Sequence, residues 1–220
     1  MLNLQIQELP TQVPLLLVRG AVLLPKTGFS FPVSNPLYAQ MLRAALQKSP
    51  YLGLIQPSIA SDTPIDFDDT PLFSTGSLTR VTEMTETHDN GLVLILESIC
   101  RFRVMAHKPH AHHAYPMAHV DYQPFGDDLN QNADLSIHTD ELLTIFKPYF
   151  MQQDISMEWE NLFHQSQQEI VGTLLLACPF TPLEKQAILE QRSPQEQLDS
   201  MISLVKMDTV VSYEAGHVIH

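Results

Sequence analysis

Apolar residues in the first half of the chain come in short runs separated by Gly, Pro, Asn and Asp, the punctuation of β-strands. Residues 13–18 (VPLLLV) and 22–24 (VLL) are two such runs, broken by Gly20 and Pro25. Residues 29–33 (FSFPV) alternate apolar positions with others, as a half-buried strand does, and Pro32 marks that strand as an edge or a bulge. One helix interrupts the series. Asn35 suits its N-cap and Pro36 its first position, where a missing N–H costs nothing. Leu37, Tyr38, Met41, Leu42, Ala45 and Leu46 then recur at helical spacing until Ser49-Pro50. Residues 51–56 (YLGLIQ) return to strand character, and residues 57–71, with three prolines and four aspartates, read as a long loop.

The clearest strand signal follows. Residues 73–87 and 92–105 flank His88-Asp89-Asn90-Gly91. Asn-Gly between two such runs predicts a hairpin, because both residues tolerate positive φ. Residues 115–122 supply a further strand. Several strands with one early helix and no repeated βα units predict a small, mostly antiparallel β-barrel.

The pattern then changes period. Residues 124–132 (PFGDDLNQN) are polar and turn-rich, and helical spacing begins near residue 138. Leu142, Leu143, Ile145 and Phe146 lead to Lys147-Pro148, where a helix is expected to end or kink. Trp159, Leu162, Phe163, Ile170, Leu174 and Leu175 trace one face of a single long helix ending near Cys178-Pro179. Thr181-Pro-Leu-Glu184 and Ser193-Pro-Gln-Glu196 are full capping-box signatures. Leu198, Met201, Ile202 and Val205 form the last stripe. The expected organisation is α+β, with a barrel over 1–124, a linker over 125–137, a helical bundle over 138–206 and a tail over 207–220.

Composition narrows the function classes. Hydrophobic residues make up 44% and charged residues 17%, which suits a folded domain rather than a disordered chain. The net charge of −13 is uneven: residues 1–124 hold eight Lys/Arg against ten Asp/Glu, and residues 125–220 four against fifteen. So acidic a second half repels phosphate backbones, which argues against nucleic acid as a partner. Two distant cysteines, Cys100 and Cys178, indicate neither a disulfide framework nor a Cys-based zinc site, and fit a reducing cytosol. The N-terminal residues lack the basic region and cleavage site of a signal peptide. No apolar run reaches the roughly 18 residues of a membrane span. A cytoplasmic protein without membrane partners is expected.

The order of these elements resembles the N-terminal, substrate-binding domain of the ATP-dependent protease Lon. Residues 13–25 (VPLLLVRGAVLLP) resemble that family's opening run, with Lys26 where the family usually has glycine. Residues 36–46 look like its first helix, 76–81 (GSLTRV) like its G-x-x-A-x-I strand, and 115–122 like its closing strand. Residues 97–104 (ESICRFRV) are similar to its E-G-x-x-R-x-R-I, with Ser98 in place of glycine, and residues 182–190 (PLEKQAILE) match its helical part. The resemblance covers residues 13 to about 206. It implies a PUA-like barrel followed by a helical bundle, and a stand-alone bacterial member, because 220 residues leave no room for ATPase and protease parts. It also implies a non-catalytic module that engages unfolded or exposed polypeptide segments in an adaptor or chaperone-like role, with the Lon protease itself as one candidate partner.

No catalytic constellation accompanies this pattern, so no catalytic, cofactor-binding or metal-ligating residue is assigned and no cofactor is expected. Gly20-Ala-Val-Leu-Leu-Pro25-Lys26-Thr27 comes within one residue of a phosphate loop, but proline replaces the second glycine and removes an N–H, so a strand and turn are the better reading. His107, His110, His112, His113 and His119 crowd into thirteen residues. A small-ligand or metal-binding domain using segment 107–119 is therefore the alternative function. Arg101 and Arg103 share a strand face, and by parity Glu97 is the expected ion-pair partner. Trp159 and Phe163, four apart on a helix, read as core. Phe29, Phe31 and Val33 line one strand face; ordinary core is the commoner fate of such a face, and reception of an extended peptide by strand addition is the functional one.

Overall fold

A computed structural model describes residues 5–59, 70–87, 91–108, 115–130, 135 and 138–217, the side chains at 37, 107, 108 and 210–217 excepted. The fold is α+β. The chain divides into two compact units, Met1–Gln131 and Asn132–His220.

The first unit is built on six strands: β1 (Gln12–Leu17), β2 (Gly28–Val33), β3 (Tyr51–Ile55), β4 (Thr75–Glu86), β5 (Leu92–Lys108) and β6 (Met117–Asp121). Their order is β2-β5-β4-β3-β1-β6, and β5 also pairs with β6. That extra pairing closes five strands into a ring and leaves β2 on the outside, hydrogen-bonded to β5. All pairings are antiparallel except β1 with β3, where Leu15 lies opposite Gly53. Helix α1 (Pro36–Leu46) lies on the connection that makes β1 and β3 parallel. It starts as expected, with the Asn35 side chain accepting from the Tyr38 N–H at 3.2 Å, and it buries Ala39, Leu42 and Ala45.

Inside the ring Leu9, Val13, Leu15, Leu17, Ile55, Leu78, Cys100, Phe102, Ala118, Val120 and Tyr122 form one apolar cluster. Phe102 fills its centre, and Gly76 makes room for it. A Cβ on Gly76 would lie 2.6 Å from the Phe102 ring and 2.7 Å from the Leu54 carbonyl, so no other residue fits. The run 22–24 is buried but is not a strand. The Leu23 carbonyl is held by the hydroxyls of Ser77 at 2.6 Å and Ser98 at 3.4 Å instead of by a ladder. The long strands β4 and β5 bend through register shifts at Leu78/Thr79 and Val81/Glu83, which let one hairpin serve both the ring and β2. The predicted turn at 88–90 lies outside the described residues. Its flanks behave as a hairpin, with Glu86 opposite Leu92 and the Thr87 N–H bonded to the Gly91 carbonyl at 3.2 Å. The loop 57–71 is pinched at its base by Ser58 N–H to Pro71 O (2.8 Å) and Phe73 N–H to Gln56 O (3.1 Å); residues 60–69 lie outside the described set.

Part of the stretch expected to be a linker is structured: Gln123–Leu129 forms a 3-10 helix. The second unit holds α2 (Thr139–Gln152), α3 (Trp159–Phe163), α4 (Gln167–Ala177), α5 (Pro182–Leu189) and α6 (Pro194–His217). Helix α6 packs against α2, α4 and α5. It runs past residue 206, where the last apolar stripe ends. Two expectations are corrected. Of the two outcomes expected at Pro148, the helix end is excluded: α2 continues through it to Gln152, because Tyr149 and Phe150 just beyond it are fully buried and their packing outweighs one missing hydrogen bond. The single long helix over 159–177 is two helices. Ser166-Gln-Gln-Glu169 is itself a capping box, with the Glu169 carboxylate accepting from the Ser166 N–H at 2.7 Å. The box at Thr181 forms as read, with the Glu184 carboxylate on the Thr181 N–H at 2.7 Å. At the other predicted box, the Ser193 hydroxyl accepts from the Glu196 N–H at 3.2 Å, but the Glu196 carboxylate turns to the Arg192 N–H at 2.9 Å.

Candidate functional site

Strands β2, β5 and the outer half of β4 form a three-stranded arm on the first unit. Registers align Phe29 with Leu96 and Phe31 with Leu94, and on the other side Val81 with Leu96 and Met84 with Leu94. Directly opposed residues share a face. Leu94 and Leu96 are fully buried, and Phe29 and Phe31 flank them half-buried, with rings 6.2 Å apart. Val33 is buried. The Phe29-Phe31-Val33 face is thus core at one end and open surface at the other. The arm has two outer strands of opposite character. The outer half of β4 carries Glu83 and Glu86 and a bulge, devices that discourage a further strand from pairing. Strand β2 has no charged residue, and the chain from Thr27 to Leu42 has none either. Within β2 itself Pro32, which lacks an N–H, limits how long a ladder the strand could accept.

The turn that delivers β2 is tightly held. The Lys26 N–H bonds the Ser98 carbonyl at 2.8 Å, the Thr27 N–H the Leu24 carbonyl at 3.2 Å, and the Gly20 N–H the Gln56 side-chain oxygen at 2.7 Å. These N–H groups are engaged within the protein, the opposite of what a phosphate cradle needs. Lys26 has φ 66°, a left-handed conformation that glycine adopts without strain.

The arginines behave differently from expectation. Glu97 pairs with Arg80, at 2.6 Å, not with Arg101. Parity fails because β5 carries an extra residue at Ile99. Glu97 lies opposite Arg80 and Arg101 opposite Ser77, and positions 77 and 80 on β4 face opposite ways. Arg101 is buried and meets Asp128 of the 3-10 helix, through Nε at 2.9 Å and Nη2 at 2.6 Å, with the Phe125 ring 4.7 Å from the guanidinium. Asp128 also accepts from the Arg101 backbone N–H at 2.8 Å. This cluster clasps the 3-10 helix to the ring and leaves Arg101 nothing with which to meet a ligand. Arg103 is exposed.

Of the histidine-rich segment, residues 109–114 lie outside the described residues. His107 lies opposite Ala118 in the β5–β6 ladder, and the His119 ring sits 3.1 Å from the Gln12 side chain. Among the described residues no three His, Cys, Asp or Glu side chains come together as a metal site. Burial pushes the Cys178 thiol up to about 12 and raises Cys100 further, so both are held protonated. In the second unit Trp159 and Phe163 are stacked 6.3 Å apart and half-buried, so the face read as core is only partly so.

Residues 12–207 match the substrate-binding domain family of the ATP-dependent protease La (LON). The chain belongs to this family. Solved Lon N-terminal domains share its fold. A Lon N-terminal domain protein from Xanthomonas campestris aligns over 88% of this chain and 98% of that one, with a TM-score of 0.59 at 18% identity. The N-terminal domain of a Mycobacterium avium complex Lon protease aligns over 89% and 98%, with a TM-score of 0.56 at 16% identity. Comparison with curated protein sequences gives no match. The two departures from the Lon pattern now have physical readings. Lys26 occupies a left-handed position where the family's usual glycine would be unstrained, and Ser98 stands at the β5 bulge with its hydroxyl on the Leu23 carbonyl. Membership identifies a substrate-binding, non-proteolytic type of domain. Among the described residues no helix is long and apolar enough to cross a membrane.

Proposed function

We propose that this chain is a non-catalytic, cytoplasmic polypeptide-binding module, adaptor or chaperone-like in role, that holds unfolded or exposed segments of other proteins. It takes such a segment as an added strand on the free edge of β2, with alternate apolar side chains set beside Phe29 and Phe31. The observation that carries this reading is the contrast within one arm, where the β4 side is guarded by Glu83, Glu86 and a bulge and β2 is uncharged and lined by half-exposed rings. Main-chain bonds would supply sequence-tolerant affinity, and the two phenylalanines a preference for apolar residues at every second position. Segments held this way are of the kind a Lon protease degrades, which makes that enzyme the first partner to test.

The test is binding of a permanently unfolded, fluorescently labelled protein to wild type and to Phe31→Lys, with far-UV circular dichroism and melting as the control on folding. The expected result is saturable binding by wild type and a loss of about tenfold or more in the folded variant. Wild type that does not bind, or a folded Phe31→Lys that binds as well, overturns the reading. Ser30→Lys, which adds a charge on an exposed position of the same strand, gives the same answer should Phe31→Lys fail to fold.

A further inference from the structure

The second unit carries a surface of different chemistry, at the C-terminal end of α2. Rings form a continuous series there. Phe146, fully buried, meets Phe150 edge-on at 6.1 Å; Phe150 stacks on Trp159 at 5.7 Å, and Trp159 on Phe163 at 6.3 Å. The series begins in the core and ends half-exposed. The chain turns back sharply between α2 and α3. The Ile155 N–H bonds the Phe150 carbonyl at 2.8 Å and the Asp154 N–H the Met151 carbonyl at 3.4 Å. This is a Schellman turn with Asp154 in its left-handed position at φ 52°. It brings Met151, 71% exposed, and the half-buried Ile155 and Met157 to the same end of α2 as the rings. Asp154, Glu158 and Glu160 are exposed along this turn and the start of α3; the exposed Lys147, one turn before Met151, is followed by no Lys or Arg until Lys185.

We infer that this surface is a second polypeptide site, one that selects a cationic apolar segment of a partner protein: one or two large apolar side chains flanked by Lys or Arg. Unbranched Met side chains adapt to differing apolar shapes, and a rigid, half-desolvated Trp is the residue type that most often dominates binding energy. The acidic rim supplies the selection. It attracts Lys and Arg beside the apolar anchor, turns away acidic segments, and repels a second copy of this −13 chain. The β2 edge is uncharged, so the two sites ask for different chemistry, and this inference does not rest on the one made for β2.

Trp159 is the only tryptophan, so its emission reports this surface alone. The full chain is titrated with a short Leu/Lys peptide and with a Leu/Glu peptide of equal length. The expected result is a saturable blue shift with Leu/Lys, about tenfold or more weaker with Leu/Glu, and weakened by salt. Met151→Ser should weaken it, and Glu160→Lys should narrow the preference between the peptides; both positions are exposed. An equal response to the two peptides, no response, or a shift that follows protein concentration rather than peptide overturns the inference. A shift abolished by Phe31→Lys also overturns it, because the response would then not be independent of β2.

Discussion

Arg80 and Arg101 both lie on the β4–β5 hairpin, and each places a guanidinium nitrogen 2.6 Å from a carboxylate oxygen. The side chains of Arg80 and Glu97 are 33% and 44% exposed, those of Arg101 and Asp128 only 2% and 3%. Equal distances hide unequal roles. The outer pair sits largely in water, where attraction is weak and competes with side-chain entropy. The inner pair has left water, so each charge owes several kcal/mol of desolvation. It offsets this with three hydrogen bonds to one carboxylate and a ring against the guanidinium. The outer pair decorates the hairpin. The inner pair dictates where the 3-10 helix docks.

The sharpest way to break this comparison is to remove one inner charge. Asp128→Ala should cost about 3–5 kcal/mol in urea unfolding, because it removes the carboxylate that accepts three hydrogen bonds from the buried Arg101. A loss no larger than that of an exposed pair would mean water reaches the site. Arg101→Met with Asp128→Leu should recover part of that loss, since no buried charge remains, although the N–H of residue 101 still lacks its acceptor. Failure to recover would show that the pair itself contributes net stability. Alkali gives a third test, through Cys100, which is held protonated first by burial and then by the charge of Asp128, with Arg101 opposing. A folded pKa above the unfolded one means that this stability is whole below the thiol's ordinary value. It should be lost as pH rises past that value, by up to about 1.4 kcal/mol per pH unit per buried thiol. Cys100→Ala should flatten part of that slope, leaving the shares of Cys178 and, at higher pH, of Tyr38, Tyr122 and Tyr149, which burial also holds protonated. Glu97→Gln should cost at most about 1 kcal/mol, and that small difference should fade near 1 M salt while the Asp128→Ala loss persists.

What was legible in the sequence was local. The Asn35 cap, the Thr181 box, the alternating strands and the flanks of the Asn90-Gly91 turn depend on neighbours a few residues apart, and each formed in place. The family pattern was legible for the same reason, as a series of short motifs in order. The partner of Arg101 was not. Counting by twos from Glu97 fails at a one-residue bulge, and Asp128 sat in a polar stretch that resembled a linker. The break at Ser166 was readable in principle, since Ser-Gln-Gln-Glu is a cap signature. It was masked by apolar spacing that runs on from Phe163 to Ile170. The face of Phe29 and Phe31 was visible from alternation, and Pro32 hinted at an outer strand. That its two sides differ in protection needed the pairing order. The acidic aromatic surface was hidden because an i, i+4 pair of rings reads as core whichever way its far side points.

The ring closes late. Gln12 lies opposite His119, so β1 waits for a strand made more than a hundred residues afterwards. At about 5–20 residues per second this is a delay on the order of 5–20 s on the ribosome. During it β3, β4 and β5 can pair as neighbours while β1 has no antiparallel partner. The chain therefore begins life with one edge of β1 open, although β3 can already pair with the other. Its refolding should be slow for its size, limited by the search that brings the two ends of the barrel together.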